Sequence, residues 1–192
     1  MNVAFTTHRQ PRRETGLTLV ETMVTLAVAA ILLTAAVPPM QDFIVRNQMS
    51  TEVNSLVGSM YLARSEAVKR LQNVVVCPTT DSVNCAPATD WTPGWMVFSD
   101  PNNDGVVDDS DVILQQDVKL PSRFMATGAN SSCVVFSPTG ALASCPVGGG
   151  FGNTTVTFLD CNGVANTTTL TLSQDGHIFT TQLTPSSGCS SP

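Results

Sequence analysis

The residue that most needs a chemical explanation is Glu21, the only charge within residues 17–37, LTLVETMVTLAVAAILLTAAV. That run is long enough to cross a hydrocarbon core of about 30 Å as a helix. A carboxylate at the centre of such a span costs roughly 2.5–3.5 kcal/mol on insertion scales. Nearer the end the cost is smaller, but a charge there still marks function. A second constellation lies at residues 100–111, where the chain fits D-x-N-x-D-G-x-x-D-x-x-D. This is the oxygen-ligand spacing of a calcium loop. Asp100, Asn102 and Asp104 would supply side-chain oxygens, Val106 a carbonyl, and Asp108 and Asp111 would close the shell, with Gly105 allowing the sharp turn. The last ligand is Asp instead of Glu, and a strand follows where a helix is usual, so a solvated acidic turn is the competing reading. Calcium is a candidate ligand here; no cofactor is required.

Six cysteines, Cys77, Cys85, Cys133, Cys145, Cys161 and Cys189, all follow the apolar run. An even count on one side of a membrane span implies disulfides in an oxidising compartment. Zinc is the weaker alternative, because no pair has C-x-x-C spacing and the only histidines are His8 and His177. Of the fifteen connectivities open to three bridges, the expected one is Cys77–Cys85, Cys133–Cys145 and Cys161–Cys189. No nucleophile–base pair stands out, no phosphate-binding glycine loop opens a helix, and His177 reads as a surface residue beside a turn. The chain is expected not to be an enzyme.

The elements that must position these groups follow from charge and periodicity. Arg9, Arg12 and Arg13 precede the apolar run and hold the leading segment in the cytoplasm by the positive-inside rule. After Leu71 the chain has two basic residues, Lys119 and Arg123, against ten aspartates. With a net charge of -6 overall, that acidic region argues against nucleic-acid binding by bulk electrostatics. Pro38-Pro39 is expected to kink or break the helix. Beyond it Phe43, Met49, Val53, Leu56, Val57, Met60, Ala63, Ala67 and Leu71 recur at three- and four-residue steps, one apolar stripe of an amphipathic helix.

After Leu71 the period shortens to that of strands, expected at 73–77, 94–99, 112–116, 133–137, 154–159, 167–173 and 177–183. Asp175-Gly176 sits at the centre of a predicted hairpin turn, and residues 148–152 read as a linker between strands. Trp91 and Trp95 are expected to pack in the core or at its rim. The fold class is therefore α+β, a long N-terminal helix with a transmembrane half and an amphipathic half, packed on a small, mainly antiparallel β head. The divisions expected are a leader at 1–16, a membrane or filament-core helix at 17–37, its amphipathic continuation at 38–71, and a disulfide-stabilised head at 72–192. An ordinary secretory signal cleaved after Ala36 is the bland alternative. Glu21 and the helical pattern continuing past Pro38 count against it.

Gly16-Leu17-Thr18-Leu19-Val20-Glu21 resembles the type IV prepilin motif, with Leu17 where the family usually has Phe. The resemblance implies cleavage after Gly16 by prepilin peptidase and N-methylation of Leu17. It also implies that Glu21 meets the freed amine of a neighbouring subunit, an assembly role in which an unpaired buried charge is avoided. Residues 62–70, LARSEAVKR, together with Cys77-Pro78, Cys85, Trp91 and Gly94-Trp95-Met96-Val97-Phe98, are similar to the GspH/FimT group of minor pilins and pseudopilins. This implies a pilin-like fold and a minor type IV pilin, with a type II secretion pseudopilin as the alternative. A DNA-uptake pilin is the third reading, but residues 174–179 carry no arginine or lysine. The implied partners are prepilin peptidase, other major and minor pilins or pseudopilins, and the inner membrane; nucleic acid is not an expected partner. The implied location is a single inner-membrane pass with the head in the periplasm, then the pilus or pseudopilus.

Overall fold

A computed structural model describes residues 16–86, 89–116, 120–129, 132–146, 154–184 and 189, with the backbone alone at 35–39. The leader, Arg9, Arg12, Arg13, His8, Lys119 and the glycine-rich 148–152 lie outside the described residues. Two compact units divide the chain, Met1–Gln41 and Asp42–Pro192. Helix α1, Leu19–Arg70, belongs to both. Pro38-Pro39 does not divide it, contrary to the break considered from the sequence. Each proline removes one N–H donor, a local loss that the helical turns on either side tolerate. The helix ends where Leu71 turns to a left-handed backbone, φ 56°.

In the second unit, α1 buries Val45, Met49, Val53, Leu56, Met60, Ala63 and Ala67. Steps of four, four, three, four, three and four residues keep these side chains on one face. Two residues assigned to that face lie elsewhere: Phe43 is 60% exposed and Leu71 75%. Phe43 precedes Val45 by two residues, about 200° around the helix, and Leu71 lies past the helix end. At the last turn Glu66 accepts from Lys69 Nζ at 3.0 Å and Arg70 Nε at 2.6 Å. These bonds, Arg70's first, hold its carboxyl below the usual range.

Nine strands follow: β1 Asn73–Pro78, β2 Trp95–Asp100, β3 Val112–Gln116, β4 Phe124–Ala129, β5 Val134–Phe136, β6 Leu142–Ala143, β7 Thr154–Asp160, β8 Thr168–Leu172 and β9 Ile178–Gln182. They form two antiparallel sheets, ordered β3-β2-β1-β5-β6 and β4-β7-β8-β9. β4 and β6 were not anticipated: β4 contains Gly128, and β6 has two residues, too few to show a period. In β7 and β8 alternate residues are buried, the inner faces carrying Val156, Phe158, Leu170 and Leu172.

One core gathers the helix stripe with the inner faces of both sheets. Trp91 and Trp95 lie in it, and Trp95 Nε1 donates to Ser59 Oγ at 2.9 Å. β2 is buried on both faces because a second cluster covers the far side of the first sheet. Val75, Cys77, Met96, Phe98, Cys133, Val135 and Cys145 form that cluster, with Val107 packed against it. Disulfides Cys77–Cys85 and Cys133–Cys145 run through it, and Cys161–Cys189 closes the third loop, with Cα–Cα distances of 5.5, 5.8 and 5.0 Å. The Asp-Gly hairpin forms as predicted: Gly176 has φ 77° and donates to Ser173 O at 2.8 Å.

Candidate functional site: the start of the N-terminal helix

Gly16 and Leu17 precede the helix and are exposed. Thr18 caps it. Its Oγ1 accepts the Glu21 N–H at 3.2 Å, and its carbonyl accepts the Thr22 N–H at 3.2 Å. The Thr18-x-x-Glu21 spacing is that of a capping box, in which Ser or Thr satisfies an orphan donor three residues on. This second meaning of the motif was legible in the sequence and was not read there. It leaves Gly16 and Leu17 ahead of the first helical turn. It places Glu21 in the first helical turn, its side chain exposed.

Around Glu21 the helix is apolar on every side. Leu19, Val20, Met23, Val24, Leu26, Val28, Ile31, Leu32 and Leu33 are all at least half exposed. The threonines in this stretch satisfy themselves: Thr22, Thr25 and Thr34 donate their hydroxyls to Leu19, Thr22 and Ile31 carbonyls at 2.8, 3.0 and 2.8 Å. Such back-bonding lets a hydroxyl sit in an apolar medium without an unmet donor. Among the described residues no helix is long and apolar enough to cross a membrane. The described side chains of this stretch stop at Thr34, short of Val37.

The second candidate, loop 100–111, is organised by a buried carboxylate. Asp100 is 1% exposed and accepts the N–H groups of Asn103, Asp104 and Gly105 at 2.7, 3.3 and 2.9 Å. Gly105 takes φ 72° to make this possible. Asn102 Nδ2 donates to Asp104 and Asp108 at 3.0 and 2.9 Å, and Asp104 Oδ1 accepts the Val106 N–H at 2.8 Å. The Ser110 hydroxyl and N–H hold the Asp108 carboxyl below the usual range. Asp111 accepts the Asp108 N–H at 2.9 Å. Burial raises its carboxyl, and the charges of Asp108, Asp100 and Asp104 push the same way.

Of the six positions, the carboxylates of Asp100, Asp104 and Asp108 spend both oxygens on the loop itself, while Asp111 Oδ1 is buried without a partner among the described residues. Among the described residues no group of three or more His, Cys, Asp or Glu side chains is placed to hold a metal ion. The motif's spacing closes a turn over the far face of the first sheet, with Val107 reaching that second cluster.

An amphipathic helix packed on two small antiparallel sheets, led by an exposed apolar segment with one acid, defines the pilin class of subunit. Residues 52–183 match the family described as type II transport protein GspH, and residues 11–37 match the prokaryotic N-terminal methylation motif. The chain belongs to the GspH family. No curated protein matches it significantly by sequence.

Among solved structures, it is similar to the type IV minor pilin FimU of Pseudomonas aeruginosa strain PAO1. That match has 20% identity and a TM-score of 0.51, covering 71% of this chain and 90% of FimU. The minor pseudopilin EpsH of the Vibrio cholerae type 2 secretion system also matches. Its identity is 9% and its TM-score 0.49, covering 70% of this chain and 97% of EpsH. FimU's likeness carries the fold, and the two family matches carry the class: a pilin-type structural subunit with a methylation-type N-terminus that works alongside other pilins.

Proposed function

We propose that this chain is a minor type IV pilin, matured by prepilin peptidase between Gly16 and Leu17 and methylated on the new Leu17 amine. The observation that carries the reading is the exposed, all-round apolar start of α1, capped at Thr18 with a lone Glu21 in its first turn. In a single inner-membrane pass that surface is covered by lipid while the disulfide-bonded head faces the periplasm. In the fibre it is covered by the helices of neighbouring subunits. There Glu21 lies against the cationic amine of an adjoining subunit. Insertion without that partner leaves one desolvated charge, so the register in which both are paired is favoured.

Mass spectrometry of pili sheared from the host surface tests this directly. The expected finding is a chain beginning at N-methylated Leu17 in the pilus fraction. A chain beginning near residue 37 in the medium, or one retaining Met1 and confined to cells, overturns it.

A further inference from the structure

The second sheet ends in an open strand. Among the described residues, β9 pairs with β8 on one side and with no other strand on the other. The ladder's phase decides which backbone groups are free. Ser173 N–H donates to His177 O at 2.9 Å, and Leu183 N–H donates to Thr167 O at 2.8 Å. Bonded and non-bonded pairs alternate in an antiparallel ladder, so residues 177, 179, 181 and 183 spend their backbone groups on β8. Ile178, Thr180 and Gln182 aim theirs outward. Their side chains share the face of their ladder partners Leu172, Leu170 and Thr168, which are buried toward the core. Thr180 and Gln182 nevertheless remain exposed.

A groove runs along this edge. One cleft of about 160 Å³ is lined by Arg46, Met49, Ser50, Ala165, Asn166, Thr168 and Gln182. A second, of about 140 Å³, is lined by Ser50, Val53, Asn54, Thr168, Thr180 and Gln182. They share Ser50, Thr168 and Gln182, which joins them. Arg46 is the only charged side chain in either lining and takes part in none of the ion pairs among the described residues. An unpaired backbone edge beside a groove with one cation is the arrangement that binds an extended peptide by strand addition.

We propose that β9 accepts an extended segment of a neighbouring, non-identical fibre subunit, which joins the second sheet as a fifth strand and sets a carboxylate against Arg46. The added strand lies about 4.8 Å beyond β9, and its alternate side chains enter the groove over Ser50 and Asn54. A second copy of this chain is the poorer occupant. Its own edge strand, Ile178–Gln182, brings no acid to Arg46, and two heads with ten aspartates against two basic residues after Leu71 repel each other. The inference rests on the fibre-subunit reading above.

The test uses full-length variants expressed in the host, scoring the ratio of mature chain in sheared pili to mature chain in membranes. Thr180→Pro removes an outward N–H and leaves the β8 ladder intact, as proline on an edge strand allows. Arg46→Glu reverses the groove's charge. The expected result is a ratio lower by about tenfold for Thr180→Pro and several-fold for Arg46→Glu, with membrane levels and processing unchanged.

Should Thr180→Pro fail to accumulate, the exposed Arg46→Glu substitution decides alone. Wild-type ratios in the variants that accumulate overturn the docking site. A photo-crosslinker at Gln182 that yields an adduct with another subunit supports it; one that yields a homodimer overturns it. If the wild-type chain is itself missing from pili, the pilin reading fails and the docking site falls with it. If wild type and variants enter alike, only the docking site fails.

Discussion

The two compact units handle apolar residues in opposite ways. In the unit that ends at Gln41, Leu19 is 76% exposed and Ile31 69%. In the unit that begins at Asp42, Leu56 and Met60 are 0% exposed. One helix runs through both, so helical propensity is not the difference. Downstream of residue 42 the apolar positions fall on one stripe, and the chain's own sheets cover it. Upstream they fall all round, which suits a helix enclosed on every side by lipid or other helices. The second unit covers its own apolar stripe, whereas the first leaves its apolar side chains exposed.

Removing the acid from the leading segment is the sharpest way to probe that contrast. Glu21→Ala is expected to leave membrane insertion intact, since loss of a charge lowers the insertion cost, and to abolish entry into pili. Comparing the variant in membrane and sheared-pilus fractions checks this. Normal piliation would show that the lone acid has no part in assembly. The head should not register the change, and its three disulfides should form as before.

The reverse experiment damages the head and spares the leading segment. Leu56 is fully buried in the core, and truncating it removes apolar contacts and leaves a cavity. Leu56→Ala is expected to destabilise the head by about 2–5 kcal/mol, read as a lower urea midpoint for the full chain in detergent. Cleavage at Gly16–Leu17 should proceed unchanged. An unaltered midpoint would mean that α1 does not complete the head's core.

Much of this division could be read from residue order. The switch from all-round apolar to striped is visible in the letters, because a period of 3.6 is a property of one segment and needs no knowledge of its partner. The error at Phe43 arose because an apolar residue two positions from Val45 fits a loose stripe but points the other way. The hairpin at Asp175-Gly176 was legible because its turn chemistry is local. β4 was not, since Phe124–Ala129 becomes a strand through long-range pairing with β7, Phe124 with Asp160 and Ala129 with Thr155. At the N-terminus the prepilin-like hexapeptide concealed a Thr18 N-cap in the same residues. In loop 100–111 the acidic spacing is visible in the letters. Which atoms the carboxylates would face depended on Asp100 being buried at a strand end, a tertiary fact.

Asp160 is the counterpart of Asp100 in the second sheet, and its titration should have a smaller effect than either substitution above. Each ends a strand and is 1% exposed, and each gathers three N–H groups of the following turn; for Asp160 these are Asn162, Val164 and Ala165, at 3.2, 2.8 and 2.8 Å. Only Asp160 also has a cation, with Arg123 Nε at 2.8 Å and Nη2 at 3.2 Å. Burial pushes its carboxyl up, but Arg123 and the three N–H groups outweigh burial and hold it at about 2, against 3.8 for the free group.

The unfolded chain therefore takes up the proton first as the pH falls. Stability from Asp160 is fully present above about pH 4, declines as the pH drops toward 2, and is gone below that, a change of about 2 kcal/mol. Urea midpoints of the full chain between pH 5 and 2 should fall for the wild type and fall less steeply for Asp160→Asn. Equal slopes in the two proteins would remove Asp160 as the acid-sensitive tie of the second sheet.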